Sequence, residues 1–234
     1  EDANPLSGRS FRTRRGRNAC GPREEGRVHG NTRAIGRSRL SAQPLKIGLN
    51  GALHVREERL SRRHDACRLL YISDIHLRNG RSDTLCRQVL DSVARCNPDL
   101  VLLGGDLVDR RSELRRLSEL VRKLTDVAPV LAVGGNHDRR IGMDGVREAV
   151  VHGGGQWIHD GIARVTHGER VIAVSGPETS PRVDGHVRVL CAHNPRIWKT
   201  VRNAGYDLVL AGHLHGFQLV ACEYRDRLFP GAIF

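Results

Sequence analysis

Aromatic residues are scarce, 4% of 234, and methionine occurs once. So few rings, none of them interleaved with the N-terminal arginines, argue against a surface that binds single-stranded nucleic acid by stacking. No apolar run approaches the roughly 20 residues that cross a bilayer, which excludes a spanning helix in these residues. The first residues carry no apolar core of the secretory kind, and the arginine pair in "FRTRRGRN" has no apolar segment behind it. The chain begins with Glu1 rather than Met, so a leader that precedes it stays open. Cysteine is present without a CxxC pair. Cys20, Cys67, Cys86, Cys96, Cys191 and Cys222 are scattered, mostly within apolar stretches, and read as reduced core residues of a cytosolic protein rather than as a disulfide framework or zinc ribbon. There is no internal repeat.

What is abundant is positive charge, with a net of +12. Residues 1–65 hold 15 Lys and Arg against 7 Asp and Glu, whereas residues 66–234 hold 23 against 19, so most of the excess sits in the first quarter. Residues 1–50 are rich in Arg, Gly, Ser and Asn and show neither a 2-residue nor a 3.6-residue period. They are expected to form a basic, disordered segment, compatible with an arm for RNA or anionic lipid and equally with a solvated tail. Residues 51–234 are expected to form one folded domain.

From about residue 52 apolar runs and amphipathic stretches alternate. "CRLLYIS" (67–73), "PDLVLLGG" (98–105), "PVLAVGG" (129–135), "VRVLCAH" (187–193) and "YDLVLAGH" (206–213) read as buried strands. Helices are expected over 82–96 and 112–124, with shorter ones near 144–155 and 195–205, and a hairpin at "GIARVTHG" and "ERVIAVSG". The pattern implies an α/β fold with a buried sheet.

Each of the five strands ends in residue types that bind metals: Asp74 and His76; Asp106 and Asp109; Asn136 and His137; His193; His213 and His215. In open α/β sheets the carboxyl ends of the strands share one crevice, so residues distant in sequence meet there. Any one of these polar corners is an ordinary turn. Five together point to a metal centre. The remaining histidines (His29, His54, His64, His152, His159, His167, His186) lie in tails, helices or loops without this context and are assigned no site role.

The ordered blocks DxH, GDxxD, GNHD, HxP and GHxH, from about residue 68 to 218, resemble the calcineurin-like metallophosphoesterase superfamily. "ISDIHL" and "GHLHGFQ" are similar to its YkuE-like small bacterial branch. The resemblance implies a four-layer α/β/β/α sandwich of mixed sheets. It implies one ion on Asp74, His76 and His215, a second on Asn136, His193 and His213, and Asp106 bridging them. Mixed N and O donors suit Mn, Fe or Zn better than Ca or Mg. Two such divalent ions would clamp the attacking and leaving oxygens of a phosphoryl displacement, with a metal-bridging hydroxide as nucleophile. His137 would serve as acid or charge stabiliser, Asp109 would orient it, and Arg110 in "GDLVDR" would grip phosphate, an exposed basic loop being the plain alternative.

The expected activity is hydrolysis of P–O bonds in a phosphodiester, pyrophosphate or phosphomonoester, the first two ranked ahead. The alternative is a nucleic-acid-binding protein or nuclease that uses the basic arm. Leu214 and Phe217 stand where the resemblance has small or polar residues and suggest an apolar rim suited to lipid-linked substrates. Nucleic acid and a peripheral membrane surface thus stay open as partners, in a protein expected to be cytoplasmic. The ending "LFPGAIF" suggests truncation at the C-terminus.

Overall fold

The computed structural model describes residues 10–12, 55, 57–60, 66–179, 184–213, 219–224 and 227–232. One parallel sheet runs in the order β2 (Leu69–Ile72), β3 (Leu100–Gly104), β4 (Val130–Val133) and β5 (Gln156–Trp157). A second, mixed sheet runs β1 (Ser10–Arg12), β6 (Ile162–His167), β7 (Arg170–Ser175), β8 (Val187–Cys191) and β9 (Leu208–Leu210). Among the described strands of this sheet only β6 and β7 run antiparallel, forming the expected hairpin. Of residues 1–50 the described part is β1 alone, paired beside β6.

Strand periodicity sorts side chains into two cores. Val101, Leu103, Val130 and Ala132 face one way, toward Val89 and Val93 of α1 (Ser82–Cys96), Leu117, Leu120, Val121 and Leu124 of α2 (Leu114–Thr125), and Val146 and Val150 of α4 (Met143–His152). Leu100, Leu102, Leu131 and Val133 face the other way and meet Val165, Ile172, Val174 and Val189 of the second sheet. Both faces of β3 and β4 are therefore buried, which explains their unbroken apolar runs.

Between β8 and β9 the helical element is a 3₁₀ turn (Pro195–Ile197) running into α5 (Trp198–Val201). Parallel neighbours need a crossover on one face of their sheet. The inner face of this sheet is filled by the other sheet, which leaves the outer face for this crossover. The residues 136–141, read only as a polar strand end in the sequence, form a further short helix, α3 (Asn136–Ile141). In a second unit of the chain β10 (Leu219–Tyr224) and β11 (Arg227–Ala232) pair as an antiparallel hairpin. Among the described residues no helix is long and apolar enough to cross a membrane.

Candidate metal centre

The carboxyl ends of β2, β3, β4, β8 and β9 deliver the candidate residues to one place. Beyond β2 and β3 the chain continues an irregular pairing, His76 N–H donating to Asp106 O (2.9 Å) and Leu77 N–H to Leu107 O (2.9 Å), so the first two loops are held side by side. The loop after β9 is joined to the first by His213 N–H, which donates to the Asp74 carboxylate at 3.1 Å. Asp74 (φ 57°), His76 (φ 47°), Asp106 (φ 52°) and His213 (φ 75°) all have left-handed backbone. Asp and His tolerate this region better than most residues, yet such conformations cost on the order of 1–3 kcal/mol each. Four of them at one centre indicate that side-chain placement has taken precedence over backbone ease.

Asp106 is completely buried. Its Oδ1 accepts the His137 N–H at 2.8 Å, while its Oδ2 has no hydrogen-bond donor. Gly135 makes room for it, because a Cβ there would strike the Asp106 carboxylate. Around Oδ2 stand His193 Nε2 at 3.2 Å and His76 Nε2 at 3.8 Å. His193 Nδ1 lies 3.0 Å from Gly104 O and donates to it, so in the neutral ring Nε2 is a lone pair. That Nε2 also faces Asn136 Oδ1 and His213 Nδ1, each at 3.0 Å.

Asp106 Oδ2, His193 Nε2 and Asn136 Oδ1 thus confront one another, an arrangement that a proton or a cation between them would satisfy. Donors bound to one ion at about 2.1 Å and roughly right angles would stand about 3 Å apart. The nitrogen and oxygen donors present therefore fit a divalent metal. Two groups share the buried carboxylate: Asp74, His76 and Asp106 offer ligand atoms within 4.8 Å of one another, and so do Asp106, His193 and His213.

The charges respond to this crowding. Burial by itself would raise the carboxyl of Asp106, but His193 beside it and the His137 N–H outweigh that and hold it below the usual carboxylate value. Burial disfavours the imidazolium of His193, but the Asp106 carboxylate more than compensates and raises it.

Asp109 Oδ1 faces two imidazoles, His76 Nδ1 at 2.6 Å and His137 Nδ1 at 2.9 Å. Asp109 is thus in contact with His137, the residue it was expected to orient, and also with His76, a partner the sequence did not suggest. With Nδ1–H donated to Asp109, His76 turns Nε2 toward Asp106, as a ligating imidazole with a carboxylate behind it would. His137 stands edge-on to His76, ring centroids 4.6 Å apart, and is 32% exposed by side chain. Arg110 is exposed on the loop beyond Asp109. His215, Leu214 and Phe217 lie outside the described residues.

Two positioning residues escape sequence reading. Asp138, fully buried, accepts Leu107 N–H (2.9 Å), Val108 N–H (3.1 Å) and Gly135 N–H (2.9 Å), stitching the loops after β3 and β4 together. Its place two residues after Asn136, where an acid caps the first turn of a helix, was the available signal. His159 Nδ1 accepts the Gly134 N–H at 3.2 Å and so supports the loop of Asn136 from behind.

Sequence comparison agrees with this geometry. The family model of calcineurin-like phosphoesterases matches residues 67–217. Phosphodiesterase YaeI of Escherichia coli is 27% identical over 166 residues, covering 65% of this chain and 62% of the relative. A transmembrane protein with metallophosphoesterase domain from Danio rerio is 28% identical over 207 residues, covering 76% of this chain and 46% of the relative. The solved structure of TT1561 from Thermus thermophilus aligns over 62% of this chain and 81% of its own, at 14% identity and a TM-score of 0.44. The chain spans less than two thirds of the length of the first two relatives. With all five motif blocks inside the matched residues, the chain belongs to the calcineurin-like phosphoesterase family.

Proposed function

We propose that this protein hydrolyses phosphoric esters, phosphodiesters foremost, with two divalent transition-metal ions (Mn, Fe or Zn) as cofactors. The observation that carries the reading is the orphaned Oδ2 of Asp106, fully buried and common to two groups of ligand atoms. A structural metal does not need a shared carboxylate, whereas a pair of ions about 3.5–4 Å apart does. Asp74 and His76 would hold one ion and Asn136, His193 and His213 the other, with Asp106 between; His215 completes the first set in the proposal. Bound there, the ions would make water nucleophilic near neutral pH and neutralise charge on the phosphoryl oxygens.

The chain's own residues do the rest. Asp109 keeps Nδ1 of His137 occupied, so Nε2 is the atom that can donate a proton to the leaving oxygen. Asp138 holds the loop of His137 against the loop of Asp106, which fixes the distance between acid and metal bridge. Arg110, exposed on the loop beyond Asp109, would grip phosphate in this reading, since a guanidinium fork suits two acceptor oxygens. The likeness to a protein named as a phosphodiesterase supports diesters as the substrate class.

The test is chelation and reloading. Mn-loaded protein is expected to cleave bis-p-nitrophenyl phosphate, and Asp106→Asn to lose both turnover and the second equivalent of metal by elemental analysis. Full activity in the chelated protein, or two tightly held ions in Asp106→Asn, would refute the proposal.

A further inference from the structure

We propose that Cys67, Asp99 and His167 form a third metal site, for a thiophilic divalent ion of the zinc type, at the opposite ends of the strands from the centre described above. Cys67 lies two residues before β2, Asp99 immediately before β3, and His167 is the last residue of β6. The phosphoesterase motifs follow the carboxyl ends of β2 and β3. A strand of five residues separates the two locations by roughly 16 Å.

The three side chains offer sulfur, oxygen and nitrogen atoms within 4.8 Å of one another. Asp99 is fixed by accepting the Arg68 N–H on Oδ2 at 2.8 Å, which leaves Oδ1 toward His167. Nδ1 of His167 stands 3.8 Å from that oxygen, with the imidazole side chain 7% exposed and the carboxylate 16%. Ligands on a tetrahedral ion, about 2.0 Å for N and O and 2.3 Å for S, stand some 3.3–3.5 Å apart. A contraction of about 0.5 Å between His167 and Asp99 therefore suffices. Cys67 packs by its apolar surface against the core between the sheets, is in no disulfide, and retains partial exposure through which an ion can enter.

Its chemistry distinguishes this site from the phosphoesterase centre. One thiolate in the donor set selects Zn, Cd or Co over Mn and Mg, whereas the other centre offers only N and O. Binding would release the Cys67 thiol proton to solvent and leave one coordination position for water. Because Cys67 and Asp99 come from the parallel sheet and His167 from the mixed one, the ion would pin the two sheets together. Its role is structural.

The experiment uses the whole chain, stripped with chelator and titrated with cobalt. A thiolate-to-cobalt charge-transfer absorption is expected to reach the intensity of one thiolate-bound ion per chain and to vanish in Cys67→Ser, with turnover of bis-p-nitrophenyl phosphate in the Mn-loaded variant unchanged. Asp99→Asn keeps the thiol and is expected to weaken cobalt binding at this site at least tenfold. Peptide mapping after iodoacetamide supplies a readout on the parent itself, where zinc should slow alkylation of Cys67. No such absorption in the parent, the same absorption in Cys67→Ser, or alkylation of Cys67 indifferent to excess zinc would each overturn the proposal.

Discussion

Replacing His137 with alanine removes the proposed proton donor while sparing the groups around it. The backbone N–H of residue 137 still donates to Asp106 Oδ1, and Asp109 still holds His76 at 2.6 Å, so the ligand atoms keep their supports. Metal content should be that of the parent. General acid catalysis contributes about 10²–10⁴-fold, which at 1.36 kcal/mol per decade is about 2.7–5.4 kcal/mol of barrier. That loss should depend on the leaving group. Departure of a weakly basic phenolate needs little protonation, whereas departure of an alkoxide needs it fully. A series of phosphodiesters of graded leaving-group basicity, assayed for kcat in metal-loaded protein, should therefore show His137→Ala falling furthest behind on alkyl esters and least on p-nitrophenyl esters. A uniform loss across the series would mean that His137 only positions substrate, and no loss at all would remove it from the chemistry.

Asp109→Asn tests the carboxylate shared by two imidazoles. Burial would raise its carboxyl, but the hydrogen bonds from His76 and His137 prevail and hold it low. A depressed folded-state value stabilises the protein above the unfolded value, about 3.9, and that contribution is lost as pH falls through the folded one. The urea stability gap between parent and Asp109→Asn should stay constant from about pH 7 to 5 and close below about pH 4; a gap that persists in stronger acid would contradict this. Gly135→Ala should destabilise by about 1–3 kcal/mol in denaturant titration, because its Cβ would meet the Asp106 backbone N at 2.5 Å and the carboxylate more closely still. Cys191 is fully buried, with its thiol pushed up to about 12 by burial. Native protein at pH 8 should leave it unalkylated by iodoacetamide, with modification appearing only in denaturant.

The legible parts of this fold were those in which local pattern and tertiary demand coincide. The helix over 82–96 was readable from end to end because its apolar positions recur at helical spacing and face the buried sheet. The strands β3 and β4 were equally clear, since burial on both faces leaves no polar residue to interrupt them. The convergence of Asp74, His76, Asp106, Asn136, His193 and His213 followed from the placement of polar residues at strand ends. Harder were elements with too few residues to express a period: α3 has six, its first two being Asn136 and His137 themselves, and β5 has two. Hydrogen-bond partners were harder still. Nothing in the spacing of Asp109 says that one oxygen will serve His76 as well as His137, and Asp138 read as part of a motif until its three backbone donors were seen. Such pairings depend on which loops lie side by side.

The left-handed backbone at four of the proposed ligands bears on how this centre should be dissected by mutagenesis. Alanine at position 74 or 106 would remove a donor and also place a methyl group in a conformation that alanine disfavours, so a lost ion could be blamed on the wrong cause. Asparagine accepts the same torsions nearly as readily as aspartate, and therefore isolates the charge. An alanine scan would overstate the importance of residues 74, 76, 106 and 213 relative to 136 and 193, and the ranking it produced would partly measure chain geometry in place of coordination.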